Sequence, residues 1–386
     1  GGYQVLTGTS MAAPIVTGQI AILHQMWPHM KGENLVKLVT TTANKDVISN
    51  YDVNIHGQGV VDFDKATEPQ GVIGIPVDGR ADGKTSSVDN SYASGSSSAI
   101  ANLSNVKIMV IDEFDRDYYM SLGSNVVVQD KRKSSDIENM MNGYSYLPVN
   151  QMFGSYTQGG QYDLGHMNFG LFTGDGGNGD YSANIGKTFW FGNNFGVRTN
   201  IGQMNEQDTW LGNQSDGILA VGDNNITNFG QIGASYQIGN NVLSLDYSKG
   251  YSDINTTNNS LIKGFNNVET ESYKLAYEIH KDKHNTFGWS FSLPSHITSG
   301  TMDLEVAESV NLDGTINYST INSTLKQSTK EKNIGFFYSH KPTHDMDASI
   351  NFSVEHRQDI SGVKGNDGMH VGFSLIKKLA LVCGIP

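Results

Sequence analysis

The chain has 386 residues, enough for two or three domains. Its 39 acidic residues outnumber its 26 basic ones and give a net charge of −13, which argues against nucleic acid as a partner. Its single cysteine, Cys383, excludes an internal disulfide and argues against a cysteine-based metal site.

The apolar residues are distributed along the sequence and do not form long uninterrupted runs. No uninterrupted run of about 18 apolar residues occurs, so the sequence predicts no transmembrane helix. The 44 glycines and the low charged fraction of 17% favour a turn-rich β structure over most of the chain.

The first distinctive stretch is a run of small residues around a serine: Gly8, Thr9, Ser10, Met11, Ala12, Ala13 and Pro14. Gly8 permits a sharp turn, and Ser10 then begins an apolar helix whose first N–H groups have no internal acceptor. A hydroxyl there can attack a carbonyl, and the Ser10 N–H can help hold the oxyanion. We expect the three residues after Ser10 to pack against a sheet, and Pro14 to lie in the first helical turn. For a shorter motif, an ordinary serine helix cap would be the better interpretation.

This heptapeptide closely resembles the serine signature of the subtilisin-like serine peptidases, the subtilases. The resemblance continues to about residue 67. We predict a buried helix over Ile15–Trp27, and a second helix over Glu33–Ala43 that buries Leu35, Val36, Leu38 and Val39. The segment Gly57–Ala66 then resembles the end of a subtilase catalytic domain. The resemblance implies an α/β domain with Ser10 as nucleophile and its N–H as one oxyanion donor.

The same resemblance implies that the catalytic aspartate and histidine precede the serine in the chain. Neither motif is present here, so we interpret the sequence as a fragment and expect it not to hydrolyse peptides alone. His24, His29 and His56 lie outside the family's histidine motif. We assign no cofactor or metal, since the family's calcium loops lie mostly upstream.

Residues 68–150 are predicted to be a linker that contains a short β-hairpin, with one edge strand over Val72–Val77. The hairpin is centred on an acidic turn with Asp112, Glu113, Asp115 and Asp117. Its spacing lacks the glycine and distal glutamate of an EF-hand, so we expect a solvated turn with Arg116 paired to a neighbour. A short helix is predicted around Asp136–Met141.

From residue 151 the sequence alternates between apolar and polar residues, which predicts antiparallel strands. Gly239-Asn240-Asn241 marks a hairpin turn, Pro294 a strand end or bulge, and Asn311–Thr324 a polar loop. The predicted apolar faces are 167/169/171, 195/197/199/201, 232/234/236/238, 243/245/247, 273/275/277/279, 287/289/291/293, 334/336/338, 348/350/352/354 and 369/371/373/375.

Two architectures explain this alternation: a membrane β-barrel with its apolar side toward lipid, and a soluble β domain with its apolar side toward a core. The order of the parts resembles the autotransporter subtilases, which implies a barrel over residues 151–378 and a tail over 379–386. That resemblance implies an exported peptidase at the outer membrane or cell surface, with peptide or protein substrates and with lipid and assembly machinery as partners. The alternative is an extracellular subtilase with a soluble β accessory domain. Residues 1–67 would then end the catalytic domain in either case.

Overall fold

The computed structural model describes residues 5–95, 102–128, 156–164, 167–174, 179–342 and 348–377. The α-helices within these ranges are α1 Thr9–Met26, α2 Gly32–Thr41, α3 Val53–His56 and α4 Phe63–Thr67, and short 3₁₀ helices lie at Leu122–Asn125, Gly217–Leu219 and Ile360–Gly362. The strands are β1 Gly74–Pro76, β2 Thr85–Ser87, β3 Tyr92–Gly95, β4 Lys107–Ile111, β5 Asp117–Ser121, β6 Val126–Val128, β7 Tyr156–Leu164, β8 Met167–Gly174, β9 Tyr181–Phe191, β10 Phe195–Glu206, β11 Thr209–Trp210, β12 Asn213–Asp216, β13 Asn225–Ile238, β14 Asn241–Asp253, β15 Ile262–His280, β16 Asn285–Val310, β17 Ile316–Thr324, β18 Lys332–His340, β19 Ala348–Gln358 and β20 Gly368–Lys377.

The chain divides into two compact units. The first consists of Gly1–Ser91, Val106–Leu122 and Glu305–Ile321, and the second of Tyr92–Asn105, Gly123–Leu304 and Asn322–Pro386. Strand β16 is continuous, and its last six residues belong to the first unit.

The core of the first unit lies between its helices and the segment that follows β4. Its buried members are Leu23, Trp27, Met30, Leu35, Leu38, Val39, Ala66 and Phe114. Leu35, Leu38 and Val39 lie at helical spacing on one side of α2, whereas α1 contributes the buried Leu23 and the partly buried Val16 and Ile20. The expectation of a buried α1 is wrong for its other side, where Ile15 is 64% exposed, and Val36 of α2 is exposed too.

The acidic turn after β4 is solvated only in part, since Glu113 is exposed and Asp115 and Asp117 are half-buried, whereas Asp112 is buried. The expected pairing of Arg116 with a neighbour is confirmed. Arg116 and Asp112 form an ion pair with 2.7 Å between Nη2 and Oδ2, and both side chains are fully buried. Asp112 also accepts the backbone N–H groups of Gln70, Phe114 and Arg116. These bonds replace the water that a carboxylate loses on burial.

The region predicted as a linker, residues 68–150, contains six strands in its described part, β1 to β6. β1 lies between β2 and β4 in a four-stranded sheet of order β2-β1-β4-β5, rather than at an edge. Pro76 is tolerated because β1 pairs with β4 only through Gly74, at the other end of the strand. The strands expected on either side of the acidic turn are β4 and β5.

The second unit is dominated by an antiparallel sheet in which strands adjacent along the chain mostly pair. Its order is β20-β19-β18-β16-β15-β14-β13-β10-β9-β8-β7, and β17 pairs with β16. In the described residues, β7 and β20 do not pair with each other, so the closure that a barrel requires is not observed. β3, β6, β11 and β12 form a separate small sheet.

Most of the strand predictions for this unit are confirmed. Gly239 and Asn240 form the turn between β13 and β14, with Gly239 at φ +61°. Pro294 lies in a bulge, where Pro294 and Ser295 of β16 face only Ser272 of β15. The predicted loop over Asn311–Thr324 is wrong, because most of it forms β17. The predicted helix around Asp136–Met141 and the tail over 379–386 lie outside the described residues.

The two faces of the large sheet differ sharply in burial. The apolar side is exposed, with Leu171, Ile201, Ile232, Leu245, Phe336, Phe352, Val371 and Phe373 among its members. The polar side is buried, with Ser182, Asn184, Asn200, Ser244, Ser248, Ser272, Ser290, Asn333, Asn351 and Ser353. The alternation expected from the sequence is therefore present, with its apolar residues facing outward.

Candidate active site

Ser10 is the second residue of α1, directly after the turn at Gly8. Gly8 is the N-cap, at φ 157° and ψ 169°, a backbone region that essentially only glycine occupies. Its carbonyl accepts the N–H groups of Met11 at 3.0 Å and Ala12 at 3.3 Å, which closes the first turn. The Ser10 N–H has no acceptor within the helix, as the geometry of a helix start requires. In the described part of the chain, this N–H has no hydrogen-bond acceptor.

Pro14 lies one turn further along than expected. It is the sixth residue of α1, so it is in the second turn and not in the first. A proline there has no N–H to offer the carbonyl four residues earlier, which is that of Ser10. The backbone at Ser10 is therefore held by the Gly8 turn and not by a regular helical bond from Pro14.

The Ser10 side chain is exposed and unactivated in the described part of the chain. No described residue forms a hydrogen bond with its hydroxyl, and so none is placed to take its proton. His24 is 14 residues further along the same helix, a distance of about 21 Å. His29 bonds to the Asp115 carbonyl at 2.8 Å, and His56 bonds to the backbone of Asp52.

Met11, Ala12 and Ala13 were expected to pack against a sheet, and in the structure they are exposed. The orientation of α1 is instead determined further along. Leu23 and Trp27 are buried in the core of the first unit, and the Trp27 Nε1–H donates to the Asp117 carbonyl at 3.1 Å. The start of α1, which carries Ser10, thus projects from a helix that is held at its other end.

The described residues were also considered as metal ligands and as membrane-spanning helices. In the ranges that the structure covers, no group of three or more His, Cys, Asp or Glu side chains is arranged to hold a metal ion. None of the helices described is long and apolar enough to cross a bilayer.

Comparisons with known proteins agree with the resemblance at Ser10. The family model Peptidase S8, described as the subtilase family, matches residues 1–95. An extracellular serine protease of Serratia marcescens is 40% identical to this chain over 62 residues. That match covers 16% of this chain and only 6% of the relative, so the chain spans a small part of the curated relative's length.

Solved structures of OmpT, an outer membrane protein of Vibrio cholerae, are also similar to the chain. The in-vitro folded form has a TM-score of 0.34 at 10% identity and covers 59% of this chain and 64% of its own. The loop L8 deletion mutant has a TM-score of 0.35 at 9% identity, with 70% and 78% covered. The outer-membrane expressed form has a TM-score of 0.36 at 9% identity, with 63% and 73% covered. TM-scores of this size are too low to establish a shared fold.

The seven residues around Ser10, which lie in the segment that matches the subtilase family model, thus form one turn and helix start, without a catalytic partner among the described residues. The sequence interpretation missed the cluster that supports this helix, which consists of Trp27, Asp112 and Arg116. A signal for part of it was present, because Arg116 was expected to pair with a neighbour. Its acidic neighbours led to the expectation of a solvated turn.

Proposed function

We propose that this chain is the nucleophile-bearing part of an exported subtilisin-like serine endopeptidase that cleaves peptides or proteins. The observation that carries the proposal is the heptapeptide around Ser10, which lies at a helix start inside the segment that matches the subtilase family. The extracellular serine protease that resembles this segment supports an exported location.

In this proposal the Ser10 Oγ attacks the carbonyl carbon of the scissile bond. Its proton passes to a histidine base that a carboxylate orients, and both come from residues outside this chain. The Ser10 N–H donates to the oxygen that becomes negatively charged. In the absence of that base the hydroxyl stays protonated, so we propose that the 386-residue chain alone does not hydrolyse peptides.

A fluorophosphonate probe tests this assignment. The 386-residue chain should not be labelled, whereas a longer gene product that includes the catalytic histidine should be labelled at Ser10. Ser10→Ala should abolish both labelling and peptide cleavage. Ser49→Ala, which changes an exposed loop serine of the same unit, is the matched control. Labelling of the short chain at Ser10 would contradict its proposed inactivity, and an active Ser10→Ala variant would contradict the nucleophile.

We further propose that the large sheet of the second unit lies in the outer membrane and anchors the peptidase there. Support comes from its exposed apolar side and its buried polar side. A soluble domain keeps its apolar side inside, and contiguous apolar surface in water is costly. Lipid reverses this requirement, because lipid-facing residues are apolar and the interior is polar. A soluble β accessory domain remains the other candidate, although this pattern disfavours it.

Heat modifiability separates the two candidates. The full chain, refolded in detergent, should migrate differently on a denaturing gel with and without boiling, and should show β-rich circular dichroism only in detergent. A β fold that stays soluble and monomeric without detergent would exclude membrane insertion. Labelling of Ser10 is independent of this result, so the two proposals can fail separately.

A further inference from the structure

The hairpin between β16 and β17 contributes its tip to the first unit. This tip, Glu305–Ile321, is called the docking arm here. It is 17 residues long, lies more than 180 positions away from the rest of the first unit in sequence, and belongs to that unit by its contacts. The turn of the arm is closed by Asn311 and Thr315, and Gly314 within it has a φ of +80°.

The arm pairs with the loop after β1 through the backbone. The Ala81 N–H donates to the Gly314 carbonyl at 2.9 Å, and the Ile316 N–H donates to the Gly79 carbonyl at 2.9 Å. These two bonds flank an antiparallel bridge between Arg80 and Thr315. Backbone pairing of this kind depends on the path of both chains, so it indicates a specific seat for the arm.

Side chains add three further bonds. The Tyr119 hydroxyl donates to the Glu308 carbonyl at 2.9 Å, and the Tyr318 hydroxyl donates to the Pro76 carbonyl at 3.2 Å. Arg80 donates to the Asp313 carbonyl at 3.3 Å. Tyr119 belongs to β5 and bonds to the arm, whereas Tyr318 belongs to the arm and bonds to β1. Hydrogen bonds are therefore donated in both directions between the arm and the sheet.

Beneath these bonds is a small apolar core shared by the arm and the sheet. Ala307 and Ile316 of the arm pack with Ala81, Met109 and Ile111, and each of these five residues is at most 9% exposed. Burial of apolar side chains is the main favourable term in association. The arm therefore has both an apolar anchor and directional bonds to its seat.

We propose that the docking arm retains the N-terminal part of the chain by noncovalent contacts, so that this part stays bound after the backbone between residues 128 and 156 is cut. The arm is continuous with β16 and β17, and so it belongs to the C-terminal product of such a cut, whereas its seat belongs to the N-terminal product. A cleaved peptidase segment would then remain attached instead of diffusing away. This inference does not rest on peptidase activity or on membrane insertion.

The test uses the full chain with a protease recognition site inserted between Ser134 and Ser135. After cleavage, a tag on residue 386 is captured and the release of the N-terminal product is followed over time. β3 and β6 pair with each other and β3 with β12, which provides a second tether. The decisive quantity is therefore the change in release rate when the arm is altered.

Ile316→Asp puts a charge into the apolar core and should speed release at least tenfold. Leu312→Asp is the matched control, because Leu312 is in the same hairpin and 77% exposed, and its release rate should equal that of the unaltered chain. If Ile316→Asp fails to assemble, Tyr119→Phe/Tyr318→Phe removes two hydrogen bonds without touching the core and should speed release at least threefold. Prompt release from the unaltered chain, or equal rates for core and control variants, would overturn the proposal.

A cross-link provides an independent measurement. The bonds on both sides of Arg80 and Thr315 make them a non-hydrogen-bonded pair, whose Cα atoms are about 4.5 Å apart, within disulfide range. Arg80→Cys/Thr315→Cys in a Cys383→Ser background should form a disulfide that joins the two cleavage products on a non-reducing gel. Arg80→Cys/Leu312→Cys should not. Absence of this disulfide from the Arg80→Cys/Thr315→Cys variant would also overturn the proposal.

Discussion

The guanidinium carbon of Arg116 lies 4.8 Å from the ring centroid of Trp27 at the end of α1. The rings of Tyr118 and Phe114 lie at 5.4 and 5.8 Å, so the cation is enclosed by three aromatic side chains. Arg116 also donates to the carbonyls of Ala66 and Glu68. One buried cation thus connects the end of the Ser10-bearing helix, the end of α4 and the acidic turn.

Replacement of Arg116 should therefore destabilise the first unit strongly. Arg116→Met keeps much of the volume but leaves the Asp112 carboxylate buried without its cation, which costs about 3–5 kcal/mol. Urea unfolding followed by hydrogen exchange of the amides in β4 and β5 measures the loss. Arg116→Met/Asp112→Asn should recover a large part of it, since the uncompensated charge is gone. Equal instability of the single and double variants would show that the ion pair is not the cause.

The stability of the first unit should also depend on Asp82. Hydrogen bonds from Arg80 and Lys31 hold the pKa of Asp82 well below its ordinary value of 3.8. A carboxylate with a lowered folded-state pKa stabilises the fold fully above the unfolded value, and the contribution is lost as the pH falls below about 4. The urea midpoint should therefore fall between pH 5 and pH 3 by less in Asp82→Asn than in the unaltered chain. Asp46→Asn, at an exposed loop position, should behave like the unaltered chain.

If the apolar side contacts lipid, arginine substitutions at two exposed positions of one hairpin should change stability by different amounts. Leu245 is 53% exposed on β14, and Asn240 is exposed in the adjacent turn. In water, arginine at either position should change stability by less than about 0.5 kcal/mol. In a bilayer, Leu245→Arg should cost about 2–4 kcal/mol near the midplane, whereas Asn240→Arg should be neutral. Urea titration of the heat-modifiable band after reconstitution into lipid bilayers measures both, and equal values would argue against insertion.

A glycine–phenylalanine pair should prevent any larger side chain at position 288 of β16. Gly288 and Phe337 face each other on β16 and β18, and a Cβ on Gly288 would collide with the ring of Phe337. Gly288→Ala should therefore destabilise the sheet by about 1–3 kcal/mol through overpacking. Phe337→Leu in the same chain should relieve the collision. Gly230→Ala on β13, where an added Cβ meets nothing within 4 Å, should be tolerated, and refolding yield in detergent compares the three variants.

The sequence predicted most of the strands because their period-two alternation depends on local pattern alone. It did not predict β17, since the apolar signal of Ile316 and Tyr318 is diluted by polar neighbours and the strand is stabilised by contacts distant in sequence. It could not tell which way the apolar faces point, because a core and a lipid phase select the same periodicity. The burial of Arg116 depends in part on Trp27, which is distant in sequence and which no local pattern indicates. At the candidate site, the motif around Ser10 was predictable, whereas the exposure of Met11, Ala12 and Ala13 was not.

The bulge at Pro294 separates two kinds of surroundings along a single strand. Before it, Phe287 and Phe291 of β16 are exposed, whereas after it Ile297, Met302 and Leu304 are buried. One continuous strand therefore exposes its apolar side chains before the proline, as a lipid-facing segment does, and buries them after it, as a segment in water does. In the proposed membrane setting, the bulge lies at the boundary between lipid and water. The position of Pro294 in β16 would then set how deeply the sheet is inserted in the bilayer.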